Sequence, residues 1–214
     1  MRPAILALFI PIAFAQRPVT EIRSTAAQAV FDLGGGSLVT FKLNGGLNPL
    51  AWLGPDDKNV TLRPMAHFLC LDRWGQPSPG ELAAGVPYHG EATRVAWKID
   101  AATPNETTMS ASLPVAGLDV RRRAKLGGAI LRVEETVTNR NKMGKVYNMV
   151  QHPTIGPPFL DERTLVDANA SHGFMQSSPM PRPEEPAVYW PQALERNQPV
   201  NMRMLTNDPM PNVV

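Results

Sequence analysis

"AILRVEETVTNRN", residues Ala129 to Asn141, decides the reading of the fold. Ile130, Arg132, Glu134 and Thr136 fall on one face of this run, and Leu131, Val133, Glu135 and Val137 on the other. The spacing is two, not the three and four of a helix stripe, so the run predicts a strand. Asn139 to Gly144 reads as a turn, and "KVYNMVQHP", Lys145 to Pro153, returns as a second strand.

The pattern repeats on both sides. "AVFDLGGGSLVTFKLN", Ala29 to Asn44, reads as two short strands around a turn or bulge at Gly34-Gly35-Gly36. "MAHFLCLDRWG", Met65 to Gly75, is a strand running into the loop "GQPSPGELAAGVPYHG", in which "SPGELAAG" has room for one turn of helix. "ATRVAWKID", Ala92 to Asp100, alternates again. "TTMSASLPVAGLDVRRRAKLGG" gives two more strands with a turn near Ala116-Gly117. The segment at about 177–191 is Pro-rich and predicts loop or extended chain, and "LERNQPVNMRM" has room for a strand or two. Many short strands at close spacing predict an all-β protein, a large antiparallel β-sandwich.

Composition narrows the class. Hydrophobic content is 43% and charged content 19%, which supports a packed core and argues against wholesale disorder. A formal net charge of +2 is too small a bias to argue for nucleic acid. Arg121-Arg122-Arg123 with Lys125 is the one dense basic cluster; it reads as a solvated strand edge rather than a phosphate site. "MRPAILALFIPIAFAQ" has a basic start, an apolar run and an Ala-Phe-Ala end. That is the layout of a signal peptide over residues 1–15, cleaved before Gln16, and it predicts an exported domain over 16–214 with no membrane insertion after cleavage. Cys70 is the single cysteine, so no intramolecular disulfide is available; in "HFLCLD" it reads as a buried thiol.

The chemistry gathers around two histidines. His89 closes a Pro-aromatic-His-Gly turn, and His152 ends a strand immediately before Pro153. Gly90 and Pro153 each set the local backbone, and imidazole titrates near neutrality, so the pair suits small-molecule acid–base work. On the residues alone a second reading stays open: two polar loop side chains that hydrogen-bond nearby carbonyls. If His152 ends its strand, its ring shares a face with Asn148 and Val150. Trp74, Trp97 and Tyr88 are available as platforms for a sugar ring, with Trp97 better read as core because it sits in an alternating run. No H-x-H, H-E-x-x-H or C-x-x-C spacing calls for a metal, and no G-x-S-x-G or phosphate-binding loop is present.

"PYHGEATRVAW" followed by "LRVEETVTNRN" and "YNMVQHPTIGPPF" resembles the aldose 1-epimerases of the galactose mutarotase-like superfamily, over roughly Val30 to Gln176. The resemblance implies an antiparallel β-supersandwich with a sugar cleft across one curved sheet and no cofactor. It makes His89 a sugar-binding residue and His152 the general acid that protonates the ring oxygen. Arg94 becomes a candidate substrate ligand, although Glu91 stands where one branch of the family has an aromatic residue. Asp72 and Arg73, in "LDRWG", fall where a neighbouring cleft loop is expected and are candidates for sugar contacts. The family's glutamate base lies on a late strand, and Glu184, Glu185 and Glu195 do not match its context. The expectation is therefore a chain incomplete at its C-terminus and lacking the base. The function so implied is carbohydrate binding, with anomer interconversion of a free sugar by acid–base catalysis if the chain is complete. The alternatives are a non-catalytic carbohydrate-binding domain, or another carbohydrate-active enzyme on the same fold.

Overall fold

The computed structural model describes residues 18–50, 66–156, 158–161, 163–169, 171–174, 187–195 and 198–204. The expected signal peptide and the segment 175–186 lie outside the described residues.

The chain is built from antiparallel strands. β1 (Val19–Arg23), β2 (Ala27–Asp32), β3 (Leu38–Leu43), β4 (His67–Asp72) and β9 (Asn148–Pro153) form one sheet in the order β1-β2-β3-β4-β9. β5 (Lys98–Thr103), β6 (Glu106–Leu113), β7 (Leu118–Gly127) and β8 (Ile130–Asn139) form a second as consecutive hairpins. β10 (His172–Phe174) pairs with β11 (Ala187–Tyr189), and β12 (Gln192–Glu195) with β13 (Gln198–Asn201). The Pro-rich segment thus ends in a paired strand. One short helix, α1 (Pro79–Ala83), forms where "SPGELAAG" predicts it. Ser78 caps its N-terminus in a reciprocal pair with Glu81, and Pro79 occupies the first turn, where its missing N–H is not needed.

Period-two patterning packs the two large sheets face to face. Thr20 and Ile22 of β1, and Ala27, Ala29 and Phe31 of β2, point inward. Met109, Ala111 and Leu113 of β6 and Leu118, Val120, Ala124 and Leu126 of β7 meet them in one core with Leu69, Leu71 and Trp97. The large aliphatic and aromatic side chains among them each contribute about 1.5–3 kcal/mol by leaving water, and the alanines about 0.8 kcal/mol. The Gly34–Gly36 turn is tight for a packing reason: Gly36 has φ +67, and a Cβ there would lie 2.3 Å from the Trp97 ring.

Two expectations need correction. "ATRVAWKID" is not one strand, since β5 begins only at Lys98. Before it the chain turns: Arg94 N–H donates to Glu91 O, Trp97 Nε1–H to Ala92 O, and Trp97 N–H to Leu33 O. Burial of the indole, 3% exposed, outweighs the local alternation. The basic cluster is not a strand edge either, because β7 lies inside its sheet between β6 and β8. Arg121, Arg123 and Lys125 face water, whereas Arg122 points inward and is buried.

Candidate functional site

The β4–β9 ladder sets the site. Its register pairs Phe68 with His152, Cys70 with Val150 and Asp72 with Asn148. Opposed residues on antiparallel strands project to the same side, so these six share one face. Leu69 and Leu71 project to the other face, into the core. Phe68 and Cys70 face away from that core, yet they are 1% and 0% exposed. The loop after β4 accounts for this by folding back over the face, where Gly90 bridges Leu71 in parallel. The approach is so close that a Cβ on Gly90 would lie 2.1 Å from Leu71 O, and Gly90 itself has φ +76. His89 precedes it with φ 67, a left-handed conformation that few non-glycine residues adopt.

This fold-back brings the two histidines together. Their ring centroids are 5.7 Å apart with an interplanar angle of 69°. His152 stacks on Phe68 at 4.4 Å and 15°, and Phe68 also meets the edge of His89 at 5.4 Å. Tyr88, about half exposed, packs on His89 at 3.9 Å. Two imidazoles therefore stand over one aromatic floor, beside an exposed phenol.

Hydrogen bonding fixes the tautomer of His89. Gly75 N–H donates to its Nδ1 at 3.2 Å, with Cys70 Sγ at 3.5 Å from the same nitrogen. A backbone N–H only donates, so Nδ1 accepts and the proton of the neutral ring sits on Nε2. Burial, with help from His152 and the Arg94 charge, pushes the His89 pKa down from 6.5 to about 4. At neutral pH His89 is an uncharged Nε2–H donor. Burial also raises the Cys70 thiol to about 12, which keeps it protonated. The Nδ1 of His152 is buried with no hydrogen-bond partner among the described residues, so stacking and strand geometry orient this ring.

The other residues singled out by sequence take different places. Asp72 lies at the far end of the same face, paired with Lys145 at 3.0 Å. Lys145 also donates to Ala116 O. A groove of about 450 Å³ continues there, lined by Asp72, Glu81, Val115, Lys145, Tyr147 and Asn148 among others. Arg73 is only 2% exposed. Its guanidinium donates to Gln76 O at 3.0 and 2.5 Å and lies 3.7 Å from Glu81, which ties down the loop. Arg73 also lines the groove beside Asp72, so it serves the loop and borders the space next to the histidine face. Arg94 is exposed and near enough for its charge to act on His89. Trp97 is core, although the run that carries it is a turn and not the alternating strand expected, and Trp74 buries its indole Nε1 with no partner among the described residues. Among those residues no group of three or more His, Cys, Asp or Glu is placed to hold a metal ion.

Phe68 and Cys70 are the residues that sequence reasoning missed. The signal was there in "HFLCLD", because Leu69 and Leu71 as core residues put Phe68 and Cys70 on the histidine face. The Gly75 amide that sets the tautomer left no trace in sequence.

No family model matches the chain, and no curated protein matches it significantly. Solved structures do. The chain superposes on an Escherichia coli K12 protein provisionally named an aldose 1-epimerase, with a TM-score of 0.63 and 17% identity over 87% of this chain and 67% of that one. A galactose mutarotase-like protein from Lactobacillus casei ATCC 334 gives a TM-score of 0.60 and 14% identity over 88% and 69%. At such identities the likeness establishes the fold: the chain has the antiparallel, galactose mutarotase-like β-architecture.

Proposed function

We propose that this chain of galactose mutarotase-like fold binds a free sugar and, where the base is supplied, interconverts its anomers by acid–base catalysis. The carrying observation is the convergence of His89 and His152, 5.7 Å apart over Phe68 on one sheet face. Mutarotation needs an acid at the ring oxygen and a base at the anomeric hydroxyl. The ring opens, the C1–C2 bond turns, and the ring recloses on the other face. His152 is the acid in this reading: it hands a proton to the ring oxygen as the C1–O bond breaks and recovers it on closure. His89 holds a sugar oxygen through its Nε2–H without carrying charge, so it does not compete for the transferred proton. Tyr88 offers its exposed ring as a wall, and Arg94 adds positive potential beside His89. The base belongs to the part of the reading carried by the resemblance alone.

The test is anomer exchange, followed by polarimetry and by magnetisation-exchange NMR on a panel of aldoses. His152→Ala should lower the rate about 10²–10⁴-fold, the usual contribution of a positioned acid, with the fold intact by circular dichroism. Unchanged exchange in that variant would reduce His152 to a well-placed loop residue. Sugar-induced shifts at Tyr88 and His89 with no exchange in the parent would instead favour a carbohydrate-binding domain.

A further inference from the structure

Behind His152, on the opposite side of β9, a chain of polar contacts crosses between the two sheets. Arg122 of β7 places Nε and Nη2 2.6 Å from Glu135 Oε1, and both side chains are only 4% exposed. Gln151 Nε2–H donates to Glu135 Oε2 at 2.6 Å. Gln151 Oε1 lies 3.0 Å from His67 Nε2. The directions are forced. A carboxylate only accepts, so the Gln151 amide faces Glu135 and its carbonyl accepts from His67 Nε2–H. Arg122 is anchored at its far end, donating to Gly36 O, with its guanidinium 4.6 Å from the Trp97 ring centroid and 5.9 Å from that of Phe31.

β9 is otherwise held by its backbone, through its ladder with β4, the Thr154 N–H bond to Ala66 O and the Leu50–Ile155 bridge. It lies at the edge of its sheet, bonded to β4 alone among the described residues. Its inward residues Met149, 42% exposed, and Gln151 both reach solvent, so apolar burial adds only part of its placement. The Gln151–Glu135 bond ties this strand to the opposite sheet one residue before His152, whose own ring lacks a hydrogen bond at Nδ1.

We infer that Gln151 is a positioning residue: Arg122, Glu135 and Gln151 fix the C-terminal end of β9 from behind and thereby hold the His152 ring in register over Phe68 and beside His89. The inference rests on the anomer-exchange reading for its catalytic consequence, but the placement of the ring is a separate observable. Glu135 links the buried Arg122 to Gln151, one carboxylate oxygen accepting from the guanidinium and the other from the amide. Misplacement of a reacting group by about 1 Å costs on the order of 10²-fold in rate.

The experiment compares Gln151→Glu, the exchanged pair Glu135→Gln with Gln151→Glu, and Gln151→Ala. Gln151→Glu sets two carboxylates against each other. In the exchanged pair the amide still donates across the gap and its carbonyl still accepts from Arg122, while the exchanged carboxylate accepts from His67. Long-range ¹H–¹⁵N spectra of the imidazoles report the His152 environment without any sugar. Gln151→Glu should shift the His152 ring signals and lower kcat tenfold or more with KM within twofold; the exchanged pair should restore both. Parent-like His152 signals in Gln151→Glu would overturn the inference, as would their persistent displacement in a folded exchanged pair. Gln151→Ala decides the matter if Gln151→Glu does not fold, since it removes the bond without repulsion and must displace the same signals. A parent protein with neither anomer exchange nor sugar-induced shifts at Tyr88 and His89 would refute the sugar reading, while the ring signals would still test the positioning.

Discussion

Acidification should destabilise this protein through His89 in a defined window. In the native state burial, His152 and Arg94 hold its pKa at about 4, against 6.5 in an unfolded chain. Above about pH 6.5 the ring is neutral in both states and the protein keeps its full stability. As pH falls below 6.5 the unfolded chain binds a proton that the native ring refuses, so unfolding becomes easier. The loss stops near pH 4, where the native ring protonates as well. A shift from 6.5 to about 4, at about 1.4 kcal/mol per unit, gives a loss of about 3 kcal/mol at most. That is a large share of the 5–15 kcal/mol typical of a domain. The assay is urea unfolding at pH 7, 6, 5 and 4 for the parent and for His89→Asn, chosen because Asn tolerates the left-handed backbone at φ 67. The parent should lose stability over this range faster than the variant, by about 2–3 kcal/mol in total. Parallel curves, or an NMR titration placing the His89 pKa near 6.5, would refute the argument that the ring is buried against a second imidazole.

Two more outcomes follow from the same site. Gly90→Ala combines a positive φ with a Cβ 2.1 Å from Leu71 O, a backbone atom with no rotamer to yield. It should destabilise by more than about 3 kcal/mol in urea unfolding, where an exposed Gly→Ala change would be near neutral or stabilising. Cys70, buried and raised to about 12, should resist iodoacetamide at pH 8 in the native protein and react readily in urea. Fast native alkylation would show that the loop over β4 is open.

The strands were legible because their signal is local. In β8 the two faces of "ILRVEETVTN" can be read one residue at a time, and a sheet with one face to water and one to core obliges the chain to alternate. The same holds for β7, where Leu118, Val120, Ala124 and Leu126 mark the inner face; Arg122 falls on that face by count alone, and its burial follows from the period. What period cannot supply is the partner. Arg122 is tolerable inside only because Glu135 stands opposite it in the β7–β8 register and Gly36 O lies across the core, contacts set by topology. The turn at Ala92–Val95 was misread for a similar reason, since its alternation gave way to the burial of Trp97 against a distant strand end. His89 and His152 could be named from "PYHG" and "QHP", and the shared face of His152 and Asn148 from strand parity. Their meeting was decided only by the fold: Gly90 seats against Leu71, the loop turns back over Phe68 and Cys70, and the Gly75 amide chooses which His89 nitrogen keeps its proton. Alternation is written in neighbours along the chain, whereas convergence depends on close approaches between backbones far apart in sequence, and only tertiary packing specifies those.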